Sequence, residues 1–271
     1  MKRFLALVVA LMAFATVPAL AGSGADNSLQ AILDKGQFVI GLDVGFPPMG
    51  FVDADSGEIV GFDIDLAREV SNRLGVELVT QPINWDAKEM ELNAHHIDAI
   101  WNGMTITPAR METMSFSMPY MKNIQVVVVR EADGITGLAG LAGKKLGIQA
   151  GSSANDALDE AADFKASLGE VVPFDDNLTA LMDLNLGGVD AVLLDVIVAT
   201  YNMTINDYPF VVLEESLAQE EFGIGFRKGD LALRDKVDEL LLEMRADGTL
   251  EAVSEKWFGT DITTIGLESQ P

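Results

Sequence analysis

The sequence predicts a two-lobed α/β architecture, each lobe built on a mainly parallel sheet with crossover helices. Three observations predict it. Strand-like and helix-like runs alternate through two successive cycles. About 250 residues follow an apolar N-terminal leader, a length that suits two lobes of ordinary domain size rather than one small core. Two extended runs, 121–126 and 216–222, bracket the second cycle, and a pair of strands crossing between lobes makes a hinge.

Each element follows in chain order. Met1-Lys2-Arg3 is basic, residues 4–17 are apolar, and Ala19-Leu20-Ala21 has the small-x-small pattern a signal peptidase accepts. Residues 1–21 are therefore read as a signal peptide cleaved after Ala21. The alternative is an uncleaved anchor, since 4–21 nearly spans a bilayer; Pro18 and the small residues favour cleavage. Residues 22–27 read as a flexible leader. The first part of lobe 1 spans 28–121, with strands at 38–43, 77–81 and 98–101 and helices at 64–74 and 86–93. Ile64, Ala67, Val70, Ser71 and Leu74 fall along one helix face. Lobe 2 spans 122–218. It starts with an extended run to 130 and continues through strand 145–149, helix 154–164, strand 170–174, helix 178–186 and strand 190–194. The chain then returns to lobe 1 over 219–260. There Leu233, Val237, Leu240, Leu241 and Met244 mark a helix over 230–247, stopped by Gly248, and a last helix spans 249–258. Residues 261–271 read as a loose tail.

Charge narrows the partners. The chain carries 42 Asp and Glu against 18 Lys and Arg, a formal net charge of −24. Loss of Lys2 and Arg3 with the leader takes it to −26. Such a surface repels phosphate backbones, so nucleic acid is not an expected partner. It serves solubility, with some steering of cationic solutes. Without cysteine there is neither a disulfide nor a lipid-modified residue after the leader, which favours a Gram-negative periplasm. His95 and His96 are adjacent, so their side chains diverge in any regular element, and no metal is expected. No cofactor is implied either, because phosphate-loop and Gly-x-Ser-x-Gly motifs are missing.

Three places hold residues suited to binding. In Thr105-Ile106-Thr107-Pro108-Ala109-Arg110, Thr107 is a good N-cap and Pro108 a good first helical residue, which puts Arg110 in the first turn. A cation there opposes the helix dipole unless an anion is shared by Arg110, the Thr105 hydroxyl and the free N–H groups. A carboxylate fits that fork bidentately; the alternative is a surface arginine paired with Glu112 or Asp98. In Gly151-Ser152-Ser153-Ala154-Asn155-Asp156, Ser153 can cap a helix with Asp156 at the capping-box position. Asp195 ends an apolar strand, where side chains of an open α/β sheet face the ligand crevice; it would serve equally as the N-cap of the next helix.

Gly61-Phe62-Asp63-Ile64-Asp65-Leu66, with Val70 and Leu74, resembles the signature of the family 3 bacterial extracellular solute-binding proteins, Ser71 departing from its usual small apolar residue. The similarity runs from about Leu29 to Gly259. It includes Asp98-Ala99-Ile100, Phe116-Ser117, Tyr120, Asp190-Ala191-Val192 and Trp257-Phe258-Gly259. The resemblance implies the type II periplasmic-binding-protein fold, two lobes joined by a two-strand hinge, in a receptor that delivers polar amino acids to an ABC permease in the inner membrane. Such receptors usually act as monomers.

Carried over by position, Arg110 and Thr105 bind the ligand's α-carboxylate, assisted by Ser153 from the other lobe, while Asp195 and the Gly103 carbonyl receive its α-ammonium. Phe46 and Trp85 supply aromatic walls, both at strand-to-helix turns. Asp43 reads the ligand's side chain, with Gln149 and Asn102 adding hydrogen bonds and Glu89 a weaker candidate. These groups suit arginine, lysine or glutamine, bound by hinge closure without a chemical step. The competing classes are a periplasmic enzyme resembling cyclohexadienyl dehydratase, which would need a carboxylic acid poised to protonate a leaving group, and a sensor ectodomain, which would need a downstream membrane helix or signalling module that the sequence read to Pro271 does not contain.

Overall fold

The computed structural model describes residues 26–267; the expected signal peptide at 1–21 lies outside them. Helix α1 (Ser28–Lys35) leads into β1 (Gln37–Leu42). A small three-stranded sheet follows, made of β2 (Gly45–Phe46), β3 (Gly50–Val52) and β4 (Ile59–Val60). Helix α2 (Phe62–Leu74) buries Ile64, Ala67, Val70 and Ser71, four of the five positions predicted to face inward, and ends at left-handed Gly75. Then come β5 (Glu77–Pro82), α3 (Lys88–Asn93), β6 (Ala99–Thr105), α4 (Pro108–Thr113) and β7 (Met114–Phe116). The helix expected over 86–93 opens with a separate 3₁₀ turn at Trp85–Ala87, because the Asn84 side chain accepts from the Asp86 N–H at 2.9 Å and caps it.

The second cycle runs β8 (Met121–Arg130), β9 (Lys145–Gln149), α5 (Ser153–Glu160), α6 (Ala162–Ser167), β10 (Glu170–Phe174), α7 (Asn177–Leu186), β11 (Ala191–Asp195) and α8 (Val196–Ile205). Two helices stand where one was predicted over 154–164, since Ala161 leaves the helical region at φ −85° and ψ 52°. Strand β12 (Phe210–Arg227) then returns to α9 (Leu231–Asp247) and α10 (Thr249–Phe258).

All the larger strands join one nine-stranded sheet in the order β10-β9-β11-β8-β12-β6-β1-β5, with β7 also on β12. Either side is parallel, as helical crossovers require: β1 with β5 and β6, and β9 with β10 and β11. The centre is antiparallel, where β8 and β12 pair from Met121 opposite Phe222 to Phe210 opposite Arg130. These are the two predicted crossings, each longer than its sequence pattern suggested. Apolar clusters fill both sides of the sheet, one around Phe38, Ile64 and Leu240 and another around Val127, Ile148 and Leu193.

Of the loose tail expected at 261–271, residues 268–271 lie outside the described residues, and the part up to 267 is anchored rather than loose. The Thr264 N–H donates to the Tyr120 carbonyl at 2.8 Å, Thr263 bridges to Met121, and Arg245 reaches the Ile265 carbonyl at 2.9 Å while Ile265 itself is fully buried. Burial of Ile265 and the bonds that Arg245 makes to Asp261, Thr263 and Ile265 oppose the entropic cost of ordering the segment.

Candidate functional site

Nine side chains or backbones converge where the loops at the strand ends meet. Phe46, Trp85, Gly103, Thr105, Arg110, Gln149, Ser152, Ser153 and Asp195 line one narrow pocket with only about 10 Å³ of free space. That is below the roughly 300–1,000 Å³ usual for small-molecule pockets, so the walls must part to admit a ligand. Eight of the ten residues singled out from the sequence are therefore neighbours. Asp43 and Asn102 stand just behind: the Gln149 side chain donates to Asp43 Oδ2 at 2.7 Å, and Asn102 Oδ1 accepts from the Asp43 N–H at 3.0 Å. Glu89 stays on the outer face of α3, accepting from the Thr113 hydroxyl at 3.1 Å.

The short helix α4 forms as predicted, with Pro108 in its first turn and the Thr107 hydroxyl accepting from the Arg110 N–H at 3.2 Å. Arg110 is only 7% exposed, so the surface ion pair weighed from sequence does not form. Asp98 instead pairs with Lys35 at 2.6 Å. The guanidinium turns back into the pocket and donates to the carbonyls of Thr105 at 2.9 Å and of Gly151 at 3.1 Å. Burial lowers its proton affinity, partly offset by the carboxylates Asp156, Glu220, Glu89 and Asp195.

On the opposite wall the expected cap is displaced by one residue. Ser152, not Ser153, occupies the N-cap of α5, and its hydroxyl donates to the Gln149 carbonyl at 2.8 Å. The Ser153 hydroxyl is left to donate across the cleft to Thr105 Oγ1 at 3.1 Å. Asp195 holds the N-cap position of α8 without a side-chain capping bond. Its carboxylate faces the pocket, where burial, followed by repulsion from Glu220, pushes its pKa up to about 7. Burial likewise raises Asp43 to about 6.

Gly103 explains how backbone enters the site. Its φ of +56° is left-handed, and a Cβ there would stand 2.7 Å from Phe46 Cε1. Its N–H is held from behind by the buried Asp63 carboxylate at 2.7 Å and the Tyr120 hydroxyl at 3.2 Å.

Four participants escaped the sequence reading. Lys88 is buried and donates to the Gly151 carbonyl at 2.8 Å; burial, then the Arg110 charge, lowers its pKa to about 8. Asn123, Gln125 and Glu220 lie on the two crossings, bonded to one another and to Asp195. The alternation Met121, Asn123, Gln125 on the buried face of β8 was a signal, since inward polar residues in a strand need a purpose. Glu220, inside the run Gln219-Glu220-Glu221, gave none.

Comparison with known proteins gives the family. The L-cystine-binding protein TcyJ of Escherichia coli K12 is 33% identical over 259 residues, covering 95% of this chain and 94% of that protein. A probable arginine-binding ABC transporter protein, ArtJ of Chlamydia trachomatis, is 31% identical over 264 residues, covering 94% and 96%. The structure of a substrate-binding protein of an ABC uptake transporter from Streptococcus pneumoniae with bound histidine superposes with a TM-score of 0.85 at 37% identity, covering 89% of this chain and 99% of that one. These relatives are binding proteins rather than enzymes, and the mixed sheet is the type II periplasmic arrangement they share. The family model for bacterial extracellular solute-binding proteins, family 3, matches residues 38–260, and the chain belongs to that family.

Proposed function

We propose that the chain is a periplasmic receptor that captures a free polar L-amino acid by hinge closure and hands it to an ABC importer, acting as a monomer without a cofactor. Lobe 1 comprises 28–121 and 219–260, and lobe 2 comprises 122–218. The observation that carries this reading is the pairing of opposite charges in one pocket: the buried Arg110 guanidinium with the Thr105 and Ser153 hydroxyls on one side, and Asp195 on the other. An α-amino acid presents both a carboxylate and an ammonium, the two charges that these opposite groups would pair with. Asp43, Gln149 and Asn102, with Trp85 and Phe46 as walls, favour arginine, lysine or glutamine for the side chain. The cystine, arginine and histidine named for the relatives widen the set to test.

Closure follows from contacts that span the cleft, Arg110 and Lys88 to Gly151, Gln149 to Asp43 and Ser153 to Thr105. Binding to the closed form stabilises it by mass action, about 2.7 kcal/mol at a hundredfold excess over Kd. A thermal-shift screen of the common amino acids and cystine should raise the midpoint for at least one polar member; no shift with any of them would refute the receptor. A dehydratase-like enzyme remains a second reading because Asp195, at about 7, offers a carboxyl partly protonated at neutral pH. Turnover of prephenate or arogenate by the purified protein would select it.

A further inference from the structure

Glu220 sits on the second crossing directly opposite Asn123 in the β8–β12 register. Its Oε2 accepts from three donors: the Thr105 hydroxyl at 2.9 Å, the Asn123 amide at 3.0 Å and the Gln125 amide at 2.9 Å. The same two amides also donate to Asp195 Oδ1, at 2.5 and 2.9 Å. Two carboxylates thus stand side by side, bridged by Asn123 and Gln125. Arg110 acts on Asp195 only through space, its guanidinium being committed to backbone carbonyls.

The two amides have turned their donors to the carboxylates, which leaves Asn123 Oδ1 and Gln125 Oε1 buried with no hydrogen-bond partner. Asn123 is 3% exposed and Gln125 fully buried, so water does not satisfy them freely. Acceptors are in excess here, and two carboxyl groups crowd against the same amides. Both are costly in a desolvated place unless a cation with several donors completes the set. An ammonium, a compact charge with three N–H donors, matches that need. Asp195 faces the narrow pocket, and Glu220 borders the adjoining groove together with Thr105 and Ser153.

Building on the receptor reading above, we propose that Glu220 is a ligand-binding residue, the second carboxylate of a seat shared with Asp195 for the ligand's α-ammonium. Binding then exchanges hydrogen bonds. The ammonium donates to Glu220 and Asp195, and the Thr105 hydroxyl, now donating to Glu220, turns to the ligand's α-carboxylate with Ser153 behind it. The seat demands a free amino group, so it selects against blocked or deaminated analogues however well their side chains fit.

Isothermal titration with L-cystine, L-arginine and L-histidine, and with the deaminated counterparts dithiodipropionate, guanidinovalerate and imidazolepropionate, tests this on the wild type and on Glu220→Gln. The glutamine variant should bind the best amino acid at least tenfold more weakly, while its affinity for the deaminated partner stays within twofold of wild type. Its thermal midpoint without added amino acid should rise, because one of two like charges is gone, which separates lost binding from lost folding. Equal weakening toward both members of a pair, or an amino-acid affinity unchanged within twofold, would overturn the role of Glu220 alone. Absence of binding by the wild type to every one of these amino acids, and to L-lysine and L-glutamine as well, would overturn the receptor reading and this assignment with it.

Discussion

Arg110 is buried at the junction of the two walls, where its guanidinium satisfies itself on two carbonyls that a ligand carboxylate would replace. Arg110→Ala should lower amino-acid affinity by about 3 kcal/mol, roughly a hundredfold, the scale of a charge-assisted bidentate pair; calorimetry that finds the affinity unchanged would remove it from the site. Asp43→Asn should weaken a cationic ligand more than glutamine, and equal losses would count against Asp43 as the specificity residue. Burial also makes four carboxyls sensors of pH, with Asp195 and Asp63 at about 7 and Asp43 and Asp238 at about 6. Each holds its proton more tightly when folded than the roughly 3.9 of an unfolded aspartate. They contribute stability that is present below about pH 4 and lost as pH rises through 6 to 7. The melting midpoint should therefore fall between pH 5 and 8, and Asp195→Asn should flatten that fall; a slope identical to wild type would contradict the buried-carboxyl account. At this scale the sequence disclosed Arg110, Thr105 and Asp195 because each stands at a recognisable helix start or strand end. It did not disclose Glu220, which stands in a polar run between Gln219 and Glu221 and whose partners are 95 or more residues away.

Elements were legible where local chemistry alone sets them. Strands at 145–149 and 170–174 and the helix at 249–258 have the boundaries that periodicity and Gly248 predicted. The break at Ala161 was not legible, and nothing in the structure explains it. The Ser152 cap was missed because two adjacent serines offer the same local chemistry, and the choice between them rests on the cross-cleft bond of Ser153 to Thr105. Strand β6 tests how an element shapes the pocket. Gly103→Ala places a Cβ against Phe46 at a left-handed backbone, and should cost about 1–3 kcal/mol of stability, read as a lower denaturant midpoint. At the C-terminal end, Ile265→Ala should cost about 2–4 kcal/mol if the segment is packed as described, whereas a loose tail would give no change.

Across the whole molecule, the central pair β8 and β12 joins both parallel halves into one sheet, so the hinge and the core share strands. Lys88 and Arg110 both reach across to the Gly151 carbonyl, and the two bonds make a latch across the cleft. Lys88→Met should relax it: the radius of gyration in solution scattering should increase and amino-acid association should accelerate, while an unchanged radius and rate would show that Lys88 does not hold the cleft. The sequence by itself determined the alternation of strands and helices, the family, and the residues that reach the pocket through their own local setting, because capping, periodicity and strand-end position act over a few residues. Only the tertiary structure decided which of two serines bonds across the cleft, that Thr263 to Ile265 are anchored, and that Asn123, Gln125 and Glu220 gather around Asp195. Those outcomes depend on register between two strands separated by most of lobe 2, and on desolvation, which exists only once the chain has closed around the groups concerned.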